Sequence, residues 1–168
     1  DKKTITAFRK IIPQIKKPMI IDADALHMLD KETLLSIKKN EKQVVFTPHA
    51  NEFNVLTGQK ISDKLGDKIE MVKQFAYNFR SVILLKGVID VISNGKDFKL
   101  NRTGNQGMTV GGTGDCLAGL VAGIIAQGNN SFEAAYLAAF INGNAGDLAF
   151  KEFGYNFTAS DLTKFIPK

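Results

Sequence analysis

The run Gly111-Gly112-Thr113-Gly114-Asp115 puts three glycines, a hydroxyl and a carboxylate directly before a segment that is apolar almost without interruption to Gln127. A helix beginning near Asp115 would turn its first unbonded N–H groups, and the positive end of its dipole, toward this loop, and anions bind in such places. Glycines at 111, 112 and 114 leave the path of a phosphate clear, and Thr113 can add a hydroxyl donor. The run is not a Walker A loop, because no Gly-Lys-Ser/Thr follows, and it lacks the GxGxxG dinucleotide fingerprint. Asp115 has two readings. Aspartate is a good helix N-cap. A carboxylate beside a phosphate cradle can also take the proton of a substrate hydroxyl as that oxygen attacks phosphorus.

Three further stretches carry groups with chemical potential. PMIIDADAL places Asp22 and Asp24 just after an apolar run, either to position the waters of a Mg²⁺ ion or to cap the next element. TPHANEF places His49 and Glu52 after a second apolar run. His49 could contact a polar ligand and Glu52 could hold metal-bound water, although both are also ordinary first-turn residues of a helix. Lys86 ends a third apolar run and Gly87 follows it, so the ammonium could reach a phosphate; a solvated strand-end lysine is the alternative. Cys116 has no second cysteine or histidine relay and reads as packing, and His27 reads as a surface or interface residue.

Strands are needed to bring these positions together, and the sequence supplies them in alternation with helices. Ile5, Phe8, Ile11 and Ile12 share a helical face that Pro13 ends. PMIID (18–22), VVFT (44–47) and VILLK (82–86) read as buried strands, with a short helix from Lys31 to Lys38 between the first two. Leu65, Ile69, Val72, Phe75, Ala76 and Phe79 repeat at helical spacing before the third strand. VIDVIS and DFKLNR flank Asn94-Gly95, the signature of a two-residue hairpin that would cap the sheet. The segments from Asp115 to Gln127 and from Ser131 to about Phe150 are apolar all round, so both are expected to be buried helices, with Gly119 and Gly123 admitting a close backbone neighbour. Thr158 and Asp161 have the spacing of a capping box ahead of a last helix. The pattern predicts one α/β layered domain with a mostly parallel sheet.

Length and composition agree with that reading. The 168 residues, 44% hydrophobic, suffice for one domain with a core, and no apolar run approaches the length of a membrane span. A single cysteine excludes a disulfide framework within the chain and suits a reducing, cytoplasmic setting. The net charge of +5 comes from scattered lysines, as in KKNEK, that read as solvated helix faces and not as a nucleic-acid surface.

In order along the chain, IDADAL, TPHANEF, LLKGVIDVI, NRTGNQGMTVGGTGDCLAG and NGNAGD resemble the C-terminal, ribokinase-like type of NAD(P)H-hydrate dehydratase, a family that repairs hydrated nicotinamide cofactors. The resemblance implies a three-layer ribokinase-like fold with a mostly parallel sheet flanked by helices. It implies dehydration of hydrated NADH or NADPH (NADHX, NADPHX) through a phosphorylated intermediate, with ADP or ATP as phosphoryl donor and Mg²⁺ alongside. By position, Asp115 is similar to the catalytic base and a substrate contact, and His49 to the substrate-contacting histidine. Lys86, Gly87, Val88, Ile89 and Asp90 match the nucleotide segment, with Gly112, Thr113 and Gly114 as further nucleotide contacts and Glu52 as an indirect metal residue.

Ala50 and Asn51 stand where the family has Pro-Gly, Asp90 where a threonine is usual, and Asn142 where a histidine is common. A carboxylate at 90 would repel a phosphate unless it points away or contacts ribose. The match also implies that residues 1–168 are the C-terminal two thirds of a larger domain whose amino-terminal part is missing, with room for a fused epimerase domain and for a homo-oligomer. A polypeptide of these residues alone would then bind substrate poorly. Two rival readings are a small-metabolite kinase of the same fold and a nucleotide-binding sensor or remnant without chemistry.

Overall fold

Val44–Phe46 and Val82–Leu85 carry no polar side chain, and both are fully buried as strands β2 and β3 of a five-stranded sheet. The computed structural model describes residues 1–39 and 43–167. Part of the KKNEK run, Asn40 to Lys42, lies outside the described residues. The sheet order is β1 (Met19–Ile21), β2, β3, β4 (Asp90–Ser93) and β5 (Phe98–Asn101). β1, β2 and β3 pair in parallel and the last two pairings are antiparallel, so β4 alone runs against the other four strands.

Eight α-helices of the described residues cover the sheet: α1 (Lys2–Ile11), α2 (Asp24–Met28), α3 (Lys31–Lys39), α4 (Ala50–Thr57), α5 (Leu65–Phe79), α6 (Thr113–Ala126), α7 (Ser131–Phe153) and α8 (Ala159–Leu162). Alternation along the strands sends side chains to two cores. Ile21, Phe46, Ile83, Leu85 and Val91 pack with Leu34 of α3, Phe53 of α4 and Val72, Phe75 and Ala76 of α5. Val45, Leu84 and Ile92 pack on the other face with Leu117 and Val121 of α6 and with Ala134, Ala135 and Ala138 of α7. The result is the expected three-layer α/β arrangement. The capping box of α8 is also formed: Thr158 and Asp161 each bond the other's backbone N–H.

Two local expectations are corrected. The hairpin between β4 and β5 turns over four residues, Asn94 to Asp97, because Ser93 pairs with Phe98. Asn94 does not take the left-handed conformation of a two-residue turn; its Oδ1 instead accepts the N–H groups of Lys96 and Asp97. Only Gly95 has positive φ (91°), and a Cβ there would come within 2.5 Å of the Tyr77 backbone, since the turn rests on the end of α5. Helix α6, expected to be buried all round, is buried along Thr113, Leu117 and Val121, while Gly119, Ala122, Gly123 and Ala126 are exposed. The helix lies against β1, the end strand of the sheet among the described residues, and nothing among those residues approaches Gly119 or Gly123. No helix of the described residues is long and apolar enough to cross a membrane.

Candidate active site

Ile20, Val45 and Leu84 face the α6–α7 layer, so the residues two places further on, Asp22, Thr47 and Lys86, emerge on that side at the carboxyl ends of β1, β2 and β3. Lys86 is their meeting point. Its Nζ donates to Asp22 Oδ1 at 2.9 Å and lies 3.9 Å from Glu52 Oε2. A Cβ built on Gly114 would sit 3.7 Å from the same Nζ and 3.8 Å from Asp22 Oδ2, so the first turn of α6 stands directly over the ion pair. Three separate sequence motifs therefore converge on one ammonium. Ala23, which follows Asp22 and precedes α2, holds φ 52° and ψ −134°, a conformation costing a non-glycine residue about 1–3 kcal/mol. Asp24 opens α2 and is exposed, as is His27.

His49 is locked beside this centre. Its strand segment bridges Lys86 in parallel, with the Lys86 N–H donating to Pro48 O at 2.8 Å. The imidazole caps α4: Nδ1 accepts the N–H of Asn51 at 3.1 Å and of Glu52 at 3.2 Å. With Nδ1 an acceptor, the proton of the neutral ring sits on Nε2, which is the edge available to a ligand. Glu52 completes the box by accepting the His49 N–H on Oε2 at 2.7 Å, and its Oε1 lies 3.5 Å from Nε2. Glu52 is buried, and its carboxylate serves His49 and Lys86.

The glycine loop corrects the expected start of α6. Gly112, with φ 94°, is the N-cap and the helix begins at Thr113, so Asp115 is its third residue and does not cap it. The Asp115 side chain is exposed and makes no hydrogen bond or ion pair among the described residues, which leaves its carboxylate free to accept a proton. Thr113 is turned inward: its Oγ1 is 2.7 Å from Met108 O and 3.0 Å from Val110 O. Its hydroxyl braces the loop instead of reaching an anion, so what Thr113 offers a phosphate is its N–H at the helix start. Cys116 packs as expected, Sγ 3.7 Å from Ala159 O, and burial pushes its thiol up, with the Asp115 charge adding to the effect.

Asp90 also takes a different place from the one expected of a nucleotide contact. Its carboxylate accepts the N–H of Gly87 and the Nδ2–H of Asn101, each at 2.9 Å. Burial pushes the carboxyl above its ordinary value, opposed by those two hydrogen bonds. Asp90 thus closes the Lys86–Asp90 loop from beneath, with Val88 fully exposed at the tip and Ile89 half-buried. The repulsion expected between Asp90 and phosphate is avoided by this inward turn.

Asn101, Thr103, Asn105 and Asp147 are absent from the expected site, yet they hold it in place. The Asn101 amide donates to Asp90 and to Ala139 O of α7, and accepts the Thr103 hydroxyl at 2.8 Å. Asp147 accepts the Gly104 N–H and the Asn105 amide, both at 3.0 Å. Gly143 and Gly146 let this segment lie against α7: a Cβ at 143 would overlap Thr103, and one at 146 would overlap the Met108 side chain. The signal was the NGNAGD spacing, two glycines three apart on one helical face. Asn142 Nδ2 reaches Thr113 O at 3.5 Å, while its Oδ1 and Thr47 Oγ1 are buried without a partner among the described residues.

The described residues include no cluster of three His, Cys, Asp or Glu side chains able to hold a metal ion. A Mg²⁺ ion keeps several waters and binds through one or two carboxylates together with substrate phosphates, so this donor set fits an ion carried by a nucleotide and not a protein cage.

A family model described as NAD(P)H-hydrate dehydratase matches residues 1–168. The chain is 43% identical over 170 residues to the bifunctional NAD(P)H-hydrate repair enzyme of Pyrobaculum aerophilum, a match covering 100% of this chain and 33% of that protein. Among solved structures, the ADP/ATP-dependent NAD(P)H-hydrate dehydratase of Bacillus subtilis, co-crystallised with ATP and Mg²⁺, superposes with a TM-score of 0.77 at 31% identity over 92% of this chain and 54% of that one. A ribokinase-like superfamily protein of Enterococcus faecalis superposes with a TM-score of 0.79 at 26% identity, over 99% of this chain and 57% of that one. The chain thus spans about a third of the length of the first of these proteins and little more than half of the other two.

Proposed function

We propose, from the premise that the chain belongs to the NAD(P)H-hydrate dehydratase family, that its site carries the nucleotide-dependent dehydration of NADHX or NADPHX. The observation that carries this reading is the position of Lys86 Nζ, between Asp22 and Glu52 and beneath Gly114 at the start of α6. A positive charge and a row of helix N–H groups facing one space suit the phosphates of ADP or ATP.

In this mechanism the nucleotide lies over the Lys86–Asp90 loop, with its phosphates against Gly112, Thr113 and Gly114. Lys86 and the α6 N–H groups stabilise the charge on the transferring phosphoryl group. Asp115 takes the proton of the ring hydroxyl as that oxygen attacks the terminal phosphorus, forming one O–P bond while the bond to the leaving nucleotide breaks. The phosphorylated carbon then loses inorganic phosphate, aided by electrons of the ring nitrogen, and a ring proton departs to restore NADH or NADPH. His49 presents Nε2–H to the substrate. Mg²⁺ carried by the nucleotide would offset phosphate charge, and Asp22 and Glu52 are the carboxylates that would hold its waters.

The test is stoichiometry. With NADHX, Mg²⁺ and either ADP or ATP, one reduced cofactor and one inorganic phosphate are expected for each nucleotide consumed. A stable phosphorylated product without recovered cofactor would instead support the small-metabolite kinase, and nucleotide binding without turnover the sensor.

A further inference from the structure

Two polar atoms lie buried and unbonded beneath the cleft. Thr47 is 1% exposed and Asn142 6%, and neither Thr47 Oγ1 nor Asn142 Oδ1 has a hydrogen-bond partner among the described residues. A buried polar group without a partner is costly, and native structures commonly satisfy such groups with an internal water. A third such atom, Ser81 Oγ, lies just before β3, at the far end of the sheet.

The first two belong to one level of the fold. Val45 and Ala138 pack in the same core, and Thr47 and Asn142 stand one step further up, on the same side of the strand and one turn along α7. Helix α7 climbs with β2. At its foot Ser131 Oγ donates to Gln43 Oε1 at 2.9 Å, and further up Asn142 Nδ2 reaches Thr113 O at 3.5 Å. From that foot, the extended chain from Gln43 to Thr47 rises about 13 Å and the helix from Ser131 to Asn142 about 16 Å. A helical Cβ leans toward the amino terminus, which lowers the Asn142 amide toward the height of Thr47. Both oxygens are thus placed between the end of β2 and the head of α6.

We propose that one structural water joins them and that Asn142 and Thr47 are positioning residues for the head of α6. The water accepts the Thr47 O–H and donates its two hydrogens to Asn142 Oδ1 and Thr113 O, the three partners typical of an internal water. The Asn142 amide then uses both its ends toward the same turn, Nδ2 directly and Oδ1 through the water. That turn carries Asp115 and Gly114, which stands over the Lys86–Asp22 pair. Its height above the end of β2 is fixed by directional bonds.

A crystal structure fine enough to show ordered waters tests the site: one water is expected within about 3.2 Å of both Thr47 Oγ1 and Asn142 Oδ1. Thr47→Val and Asn142→Leu keep side-chain shape, and each leaves the other buried oxygen with one partner fewer. Each is expected to raise the unfolding equilibrium constant in urea roughly tenfold. The double variant retains neither oxygen and is expected to return to within about threefold of wild type. Amide exchange in the first turn of α6 reads positioning apart from stability, and it is expected to quicken about tenfold in all three variants, the double variant included. None of these measurements needs substrate, so their outcome is separate from that of the dehydratase reading. The lack of a water at that position overturns the proposal. So do stability losses that simply add, or an exchange rate that recovers with stability in the double variant, which would reduce the pair to packing.

Discussion

Lys86 Nζ lies 2.9 Å from Asp22 Oδ1, and this ion pair joins the ends of β1 and β3 across the intervening β2. Each side chain is mostly buried, 22% and 14% exposed, so neither charge is well served by water. Lys86→Ala should therefore act twice. Nucleotide affinity is expected to fall at least about tenfold in calorimetric titration, and stability to drop by about 1–3 kcal/mol because Asp22 is left unpaired. Lys86→Met with Asp22→Asn should regain part of the stability but none of the affinity.

Asp115→Asn keeps the size of an exposed side chain that makes no hydrogen bond or ion pair among the described residues. Turnover is expected to fall roughly 10²- to 10⁴-fold with the loss of the base. Nucleotide affinity should stay within about threefold, since the helix N–H groups remain. Unchanged turnover would remove Asp115 from the reaction.

His49 caps α4 through Nδ1 and is proposed to meet the substrate through Nε2, and substitution can divide the two roles. Asparagine is also a good N-cap, so His49→Asn should hold stability within about 0.5 kcal/mol, whereas His49→Ala should lose about 1 kcal/mol. Both should raise KM for the hydrated cofactor. Urea melts read beside steady-state kinetics separate the cap from the contact.

Gly143 and Gly146 differ in what faces them. A Cβ at 143 meets the Thr103 backbone at 2.7 Å, while one at 146 meets the flexible Met108 side chain. Gly143→Ala should cost about 1–3 kcal/mol, even after the gain in helix propensity. Gly146→Ala should cost less, because methionine readily repacks. Denaturant midpoints of the two variants would check the order.

Asp161 binds Lys164 and the Thr158 hydroxyl and N–H, which together hold its carboxyl down to about 2. Its folded value is below the unfolded one near 3.8, so the stabilisation is complete above 3.8 and is lost as pH falls through about 2. The gap in thermal midpoint between wild type and Asp161→Asn should accordingly be constant near neutrality and close as the pH is lowered through that window.

Much of this could be read from one dimension because local patterns decide local structure. The helix expected from Leu65 through Phe79 has those bounds, and three apolar runs became the three parallel strands whose ends carry Asp22, His49 and Lys86. What escaped depends on register and on competing hydrogen bonds. Nothing local to Asp90 reveals that it lies opposite Asn101 across the hairpin, where its carboxylate finds a partner. Asn94-Gly95 alone does not set the turn length, because the asparagine satisfies two N–H groups of a longer loop with its own side chain. Helix α6 starts two residues ahead of Asp115 because Gly112, at positive φ, serves as the cap.

Helix α7 touches the site at successive levels: Ala139 through Asn101 to Asp90, Asn142 to Thr113, and Asp147 to Gly104 and Asn105. The Lys86–Asp90 loop, the head of α6 and the segment leading into it are thus mounted on a single beam. A slide of that beam would carry all three together, so the spacing between the glycine loop at the head of α6 and the Lys86 loop is set by one helix.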